Sequence, residues 1–349
     1  MDGLSDLIIL VLCASSVGLA YLSWRFVEKP FRDKQITTSK FIAYFSSIGI
    51  LFFIAIGSYF HFSNGASHRV IFKQSLVDSF MPINYEDCFS VEFNHYAENW
   101  GCSIGAEKEH YDLVFFGDSH SLSLKNLIAD LAFKNNLSVF YTGANGCLPF
   151  LGVFPDRNDQ YKYNCNLLNE RVYKFIQENK IKNLFLSARW SYYNTPGEYD
   201  RFDHQYIAEN PKGPFDLNSS RITFKNTLKK TIAKYQKLGV KINIISQPPH
   251  QYRNPETLYF LSQLRNVGID SLSVRKNDFL ELEQESHKTF LEEGIKINYI
   301  YLAKIFCDQQ VCNVGNKDRS YYYDDDHLND YGAKKLENLF QESLSSIIN

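Results

Sequence analysis

A chain of 349 residues with 44% hydrophobic content is long enough to bury one sizeable core with something smaller beside it. Its formal net charge of -2, with no basic tract to neutralise phosphates, gives no support to a nucleic-acid partner. The 28 Phe and 23 Tyr would suit stacking on sugars, but they are diffuse along the chain and read as compositional bias.

Residues 1–6 are short and acidic and lack the basic region that opens a secretory signal. Residues 7–24 are uncharged and largely apolar, just long enough to span a bilayer. Arg25-Phe-Val-Glu-Lys-Pro-Phe-Arg-Asp-Lys34 follows, a compact basic loop in which Pro30 is expected to stop the helix. Residues 41–62 contain no Asp, Glu, Lys or Arg and are rich in Ile and Phe. Two spanning helices joined by a Lys/Arg-rich loop put that loop in the cytoplasm and everything after residue 62 across the membrane. The competing reading is a buried helical hairpin of a soluble protein.

Cys13 lies in the first apolar run, whereas Cys88, Cys102, Cys147, Cys165, Cys307 and Cys312 all follow the second. By proximity they group as 88–102, 147–165 and 307–312, although six cysteines allow fifteen arrangements. No Cys-x-x-Cys or Cys/His spacing suggests zinc, so no metal is assigned. An even set in a translocated segment reads as disulfides of an oxidising compartment, with free buried thiols as the alternative.

Residues 63–110 read as a connector of weak periodicity. From Asp112 the pattern alternates, with strands expected at 113–116, 137–141, 183–187, 242–245 and 297–301. Helices are expected at 122–135, 169–179, 222–238, 279–293 and 332–346. Short apolar strands separated by helices imply an α/β fold with a parallel sheet covered on both faces. Reactive groups in such sheets gather at the carboxyl ends of strands.

Ser119 is at one of them. Gly117-Asp118-Ser119-His120 follows the 113–116 strand and opens an amphipathic helix. A serine there has its own backbone N–H free to face a developing oxyanion, or else it merely caps the helix. Some two hundred residues later comes Asp324-Asp325-Asp326-His327-Leu328-Asn329. Asp324 and His327, three apart, share a face in a helical turn. The carboxylate then fixes the imidazole tautomer and leaves Nε2 to take a proton from Ser119, the logic of a Ser-His-Asp triad. A calcium site from Asp324, Asp325, Asp326 and Asn329 is the alternative, but no Gly-punctuated loop with a trailing Glu accompanies it.

The pair Gly-Asp-Ser and Asp-x-x-His-Leu resembles the SGNH (GDSL-like) hydrolases, with Ser119 matching the nucleophile, His327 the base and Asp324 the acid. Trp24-Arg-Phe-Val-Glu-Lys-Pro-Phe-Arg32 is similar to the end of the last membrane helix in acyltransferase-3 membrane O-acyltransferases that carry a fused SGNH domain. The resemblance implies an SGNH-hydrolase-like α/β/α sandwich preceded by two transmembrane helices. It divides the chain into 1–37 (last helix and cytoplasmic loop of a truncated acyltransferase domain), 38–62 (transmembrane helix), 63–110 (periplasmic connector) and 111–349 (SGNH-like domain). It further implies the bacterial inner membrane, with residues after 62 in the periplasm. The lipid bilayer, a surface polysaccharide acceptor and a missing or separate membrane acyltransferase domain are the partners implied. The chain itself is expected to bind no cofactor, acetyl-CoA being the ultimate donor for that absent domain.

Two departures stand out. Only the last of the family's many membrane helices is present, and the oxyanion-donor Asn of a Gly-x-Asn-Asp block is absent. In its place stands Ala188-Arg189-Trp190, resembling the fused-domain subfamily. Arg189 has donors suited to an oxyanion or to carbohydrate hydroxyls and Trp190 a ring to stack on a sugar, with strand-end packing as the alternative for both. Around Gly143-Ala-Asn145-Gly146-Cys147, the backbone N–H of Gly146 or Asn145 is the candidate second oxyanion donor. His120 reads as structural or substrate-facing; Gln247-Pro-Pro-His250 follows a strand and could line the site, with loop punctuation the favoured role. The expected activity is O-acetyl transfer. The alternatives are a carbohydrate acetyl-esterase and a non-catalytic glycan-binding module that docks on a separate acyltransferase.

Overall fold

The computed structural model describes residues 6–32, 38–62, 72–82, 88–90, 99–157, 164–199 and 201–348. The acidic start (1–5), Asp33 and Lys34 of the basic loop, and 63–71, 83–87 and 91–98 of the connector lie outside the described residues. The chain divides into two compact units, Met1–Ile71 and Phe72–Asn349.

In the first unit, α1 (Asp6–Ser23) and α2 (Ser39–Phe62) carry the apolar runs. Leu10–Glu28 and Ser39–Phe62 are each long and apolar enough to cross a membrane, and side chains such as Val17, Leu51 and Phe53 are exposed. Pro30 does not stop the first helix as expected. The chain continues through a π-helical stretch, Trp24–Glu28, into a further helical turn, Lys29–Arg32. The Lys29 N–H bonds the Trp24 carbonyl, five residues back, just ahead of the proline. Such a bulge relieves the clash and the missing donor that proline brings to a regular helix.

The second unit is built on six strands: β1 (Cys102–Gly105), β2 (Leu113–Gly117), β3 (Ser138–Gly143), β4 (Asn183–Ser187), β5 (Lys241–Ile245) and β6 (Asn298–Ile300). Their order is β1-β3-β2-β4-β5-β6, with β1 antiparallel to β3 and every other pair parallel. All five residues of β2 are buried, as an unbroken apolar run at the centre of a parallel sheet requires. Alternate side chains feed two cores. Val114 and Phe116 join Val172 and Ile176 of α3 (Cys165–Glu178) and Phe224 and Leu228 of α4 (Leu217–Lys237). Leu113 and Phe115 join Leu127 and Leu131 of the helix that follows β2 (Ser119–Lys134) and Phe340 and Leu344 of the C-terminal helix (Glu337–Ile348). The result is an α/β sandwich, with helices on both faces of a mostly parallel sheet.

The stretch read as a connector supplies part of this fold. β1 pairs with β3, Phe89 bridges Gly143, and Cys88 is bonded to Cys102. β1 is a half-exposed edge strand, so it lacks the continuous apolar run that marks the central strands. Cys147–Cys165 and Cys307–Cys312 are the other disulfides, which leaves Cys13 free.

Candidate active site

The carboxyl end of β2 comes closer to β4 than any side chain allows. A Cβ on Gly117 would lie 1.8 Å from the Ser187 carbonyl oxygen, so only glycine fits. Asp118 then caps the helix. Its Oδ1 accepts the His120 N–H at 2.9 Å, while Oδ2 accepts from the Arg189 N–H at 2.9 Å and the Tyr193 hydroxyl at 3.0 Å. Because Asp118 does the capping, the Ser119 hydroxyl is not consumed by it. Ser119 is the first residue of the helix, and its N–H has no carbonyl a turn back to bond.

Ser119 Oγ lies 2.7 Å from His327 Nε2. On the other side of the ring, Nδ1 hydrogen-bonds Asp324 at 2.9 Å (Oδ2) and 3.1 Å (Oδ1). The expected helical turn is absent. Asp324 instead folds its own loop, with Oδ1 accepting the N–H groups of Asp326 (3.1 Å) and His327 (2.7 Å), as Asp side chains do in turns. The three groups form the linear constellation in which an imidazole takes a proton from a serine and is itself held by a carboxylate.

A second carboxylate shares the imidazole. Asp326 Oδ1 is 2.7 Å from His327 Nδ1, and its Oδ2 is 3.0 Å from Arg189 Nε. Burial by itself would lower the affinity of His327 for its proton, but Asp326 and Asp324 outweigh it and hold the imidazole well above its ordinary range. Burial would likewise raise Asp326, yet His327 and Arg189 keep it well below the usual carboxylate range. Behind them, Arg189 bonds Glu198 at 2.9 Å and Asp203 at 2.7 Å, and His250 Nδ1 is 2.9 Å from Glu198. Burial pushes Glu198 up, but His250 and Arg189 bring it down to about 2. Buried His120, its ring 4.8 Å from that of His327, is lowered mainly by desolvation.

His120, His250 and Asp326 are close enough to share a cation, as are Asp324, Asp326 and His327. In both groups Asp326 already faces Arg189, and a cation would have to displace the guanidinium.

The remaining sequence candidates fall in different places. Arg189 is engaged by carboxylates through Nε and Nη2, with its guanidinium over the Tyr192 ring at 4.7 Å. Trp190 is 1% exposed, its Nε1–H donated to the Ile245 carbonyl and its ring against Phe150 and Phe290, so no face is left for a sugar. The Asn145 N–H is taken by Ser90 Oγ at 3.0 Å. Gly146 is partly exposed and adopts φ +61° in the turn before Cys147. Sequence reasoning missed Asp326 and Glu198 as members of the network, and it offered His250 only as a residue that could line the site. Asp326 sits next to His327 and so fails any test of helical spacing, while a lone Glu and His carry no local pattern.

The sequence profile of the SGNH domain (fused to AT3 domains) matches residues 87–342. The chain belongs to this family. Among solved structures, the SGNH domain is similar to the periplasmic domain of a lipopolysaccharide acetyltransferase of Salmonella ser. Paratyphi A. The TM-score is 0.52 at 17% identity, over 75% of this chain and 92% of that one. A putative acylhydrolase of Bacteroides fragilis matches at 11% identity and TM-score 0.38, over 70% of this chain and 91% of that one. A GDSL-like lipase of Bacteroides thetaiotaomicron matches at 10% identity and TM-score 0.38, over 67% and 87%. No curated protein matches the sequence significantly. The family match opens at residue 87, so it takes in Cys88, β1 and the end of the presumed connector.

Proposed function

We propose that this chain is a membrane-anchored serine acyltransferase that places an acetyl group on a hydroxyl of a cell-surface polysaccharide. The observation that carries this reading is the run Ser119 Oγ–His327 Nε2–Nδ1–Asp324 in a domain of the AT3-fused family. Ser119 Oγ attacks the carbonyl carbon of an acyl donor while its proton passes to His327 Nε2. The bond from that carbon to the donor's leaving atom breaks, and the imidazolium returns the proton to it. A sugar hydroxyl then attacks the acyl-serine, gives its proton to His327, and Ser119 leaves with that proton restored. The Ser119 N–H and that of Gly146 are the proposed oxyanion donors. The lipopolysaccharide acetyltransferase likeness supports a glycan acceptor, and AT3 fusion in the family supports a membrane domain as the supplier of acetyl groups drawn from acetyl-CoA.

The two apolar helices anchor the chain in the bacterial inner membrane, with the Lys/Arg-rich loop in the cytoplasm and the SGNH domain in the periplasm. Three disulfides support an oxidising side for that domain.

The test is hydrolysis of 4-nitrophenyl acetate by the full chain in detergent, followed by product analysis with an acetyl donor and an acceptor glycan. Ser119→Ala is expected to lower kcat by about a thousandfold or more. Retention of full activity in Ser119→Ala would remove the triad. Release of acetate alone in the presence of acceptor would favour an esterase.

A further inference from the structure

We infer that Asp326 is a second acid partner of His327, acting beside Asp324, and that Arg189 is the positioning residue that keeps it there. The inference rests on the acyl-transfer reading of the site and deepens it. Asp324 hydrogen-bonds Nδ1 through both carboxylate oxygens, which fixes the tautomer. Asp326 Oδ1 lies 2.7 Å from the same nitrogen and adds a second negative charge beside the ring. The two differ in setting. The Asp324 side chain is 31% exposed and that of Asp326 is 5% exposed. A charge held away from water acts on its neighbour through a lower effective dielectric. Asp326 is therefore the stronger stabiliser of the imidazolium that forms when Ser119 loses its proton.

Two carboxylates on one imidazole nitrogen would ordinarily share a proton, and one would be neutralised. Arg189 prevents that. Its Nε lies 3.0 Å from Asp326 Oδ2 as a charge contact, since the Nε–H is donated to Glu198, and Asp203 holds the guanidinium through Nη2. Other groups bear on the imidazole. Tyr323 stacks on the ring at 5.4 Å, and Ser119 and His120 face it from the helix after β2. Beyond His120, His250 is the next titratable group, paired with Glu198. Neither His120 nor Tyr323 brings a negative charge, so the carboxylates set the titration.

The experiment uses the full chain in detergent with ¹⁵N-labelled histidine. The His327 signal, assigned by its loss in His327→Gln, is titrated alongside kcat and KM for 4-nitrophenyl acetate from about pH 5 to 9. With both acids in play, Asp324→Asn leaves the His327 midpoint above its ordinary value of about 6.5. Asp326→Asn lowers the midpoint by more than about one unit. It also reduces kcat about 10- to 100-fold, with KM within about twofold. The double variant loses about 10⁴-fold, as a triad without its acid does. Arg189→Lys keeps a positive charge and retains more of kcat than Arg189→Gln. An ordinary midpoint in Asp324→Asn, or an unchanged midpoint and kcat in Asp326→Asn, would overturn the inference. The Asp324→Asn titration decides even if Asp326→Asn does not fold. The midpoints need no turnover, so they stand apart from the acyl-transfer reading, which fails instead if a fluorophosphonate leaves Ser119 of the unaltered chain unlabelled.

Discussion

At Gly117 the fold leaves no room for a methyl group, and the consequence reaches Ser119 two residues on. A Cβ there would press on the Ser187 carbonyl at 1.8 Å and force β2 and β4 apart. Gly117→Ala is expected to destabilise the domain by about 3 kcal/mol, the upper end of overpacking penalties, read as a lower urea midpoint. The raised proton affinity of His327 gives a second outcome at this scale. A base must be neutral to accept a proton, so activity rises with pH through the His327 midpoint. Its acid limb is expected above the ordinary imidazole value of about 6.5. A kcat/KM profile on an acetyl ester checks this, and a limb at or below that value would contradict it. The structure brings together Ser119, His327 and Asp324, which were singled out because their types and spacing match a known chemistry. The placement of Trp190 was not legible, since a tryptophan after a strand looks the same whether it faces a sugar or, as here, the core.

The central strands were legible in the sequence almost to the residue, because a strand buried on both faces reads as an unbroken apolar run. Helix starts were less so. The expected helix at 222–238 begins instead at Leu217, where the Asp216 side chain accepts the Ser219 N–H as a cap. The helix Pro255–Arg265 was unread, although Asn254-Pro255 is a helix-opening pair, because its buried face is only Pro255, Leu258 and Tyr259. The helix Lys276–Phe290 carries its own pH response. Burial pushes Glu283 up to about 7, though its hydrogen bond with the Tyr301 hydroxyl opposes this. Between its unfolded value of 4.5 and about 7 the folded chain holds more protons than the unfolded one, so this contribution is present at low pH and lost as pH rises through 7. Glu283→Gln is expected to flatten that part of the stability curve, measured by urea denaturation at a series of pH values. An unaltered slope would count against it.

The family match begins at residue 87 and the second compact unit at Phe72, both after the apolar helices in sequence. A polypeptide of residues 72–349 is therefore expected to fold as a soluble unit. Its melting temperature should fall within a few degrees of that of the full chain, as judged by circular dichroism under oxidising conditions. Aggregation of this fragment would show that the anchors contribute to stability. At this scale the sequence was most misleading in the stretch before Asp112, where Cys88, Phe89 and β1 make long-range contacts that no local periodicity announces.

The bond between Cys147 and Cys165 has a consequence for when the proposed site is complete. It fastens the turn that carries Gly146 to the start of the helix Cys165–Glu178, and closing a loop of that length is worth about 3 kcal/mol. If the domain is exported as proposed, a newly made chain still in a reducing compartment lacks this fastening, and the turn beside the proposed oxyanion site is expected to be less stable until the bond forms. Chain retained in the cytosol is expected to resist labelling by a fluorophosphonate until it is oxidised, a delay that would spare cytosolic esters from premature attack.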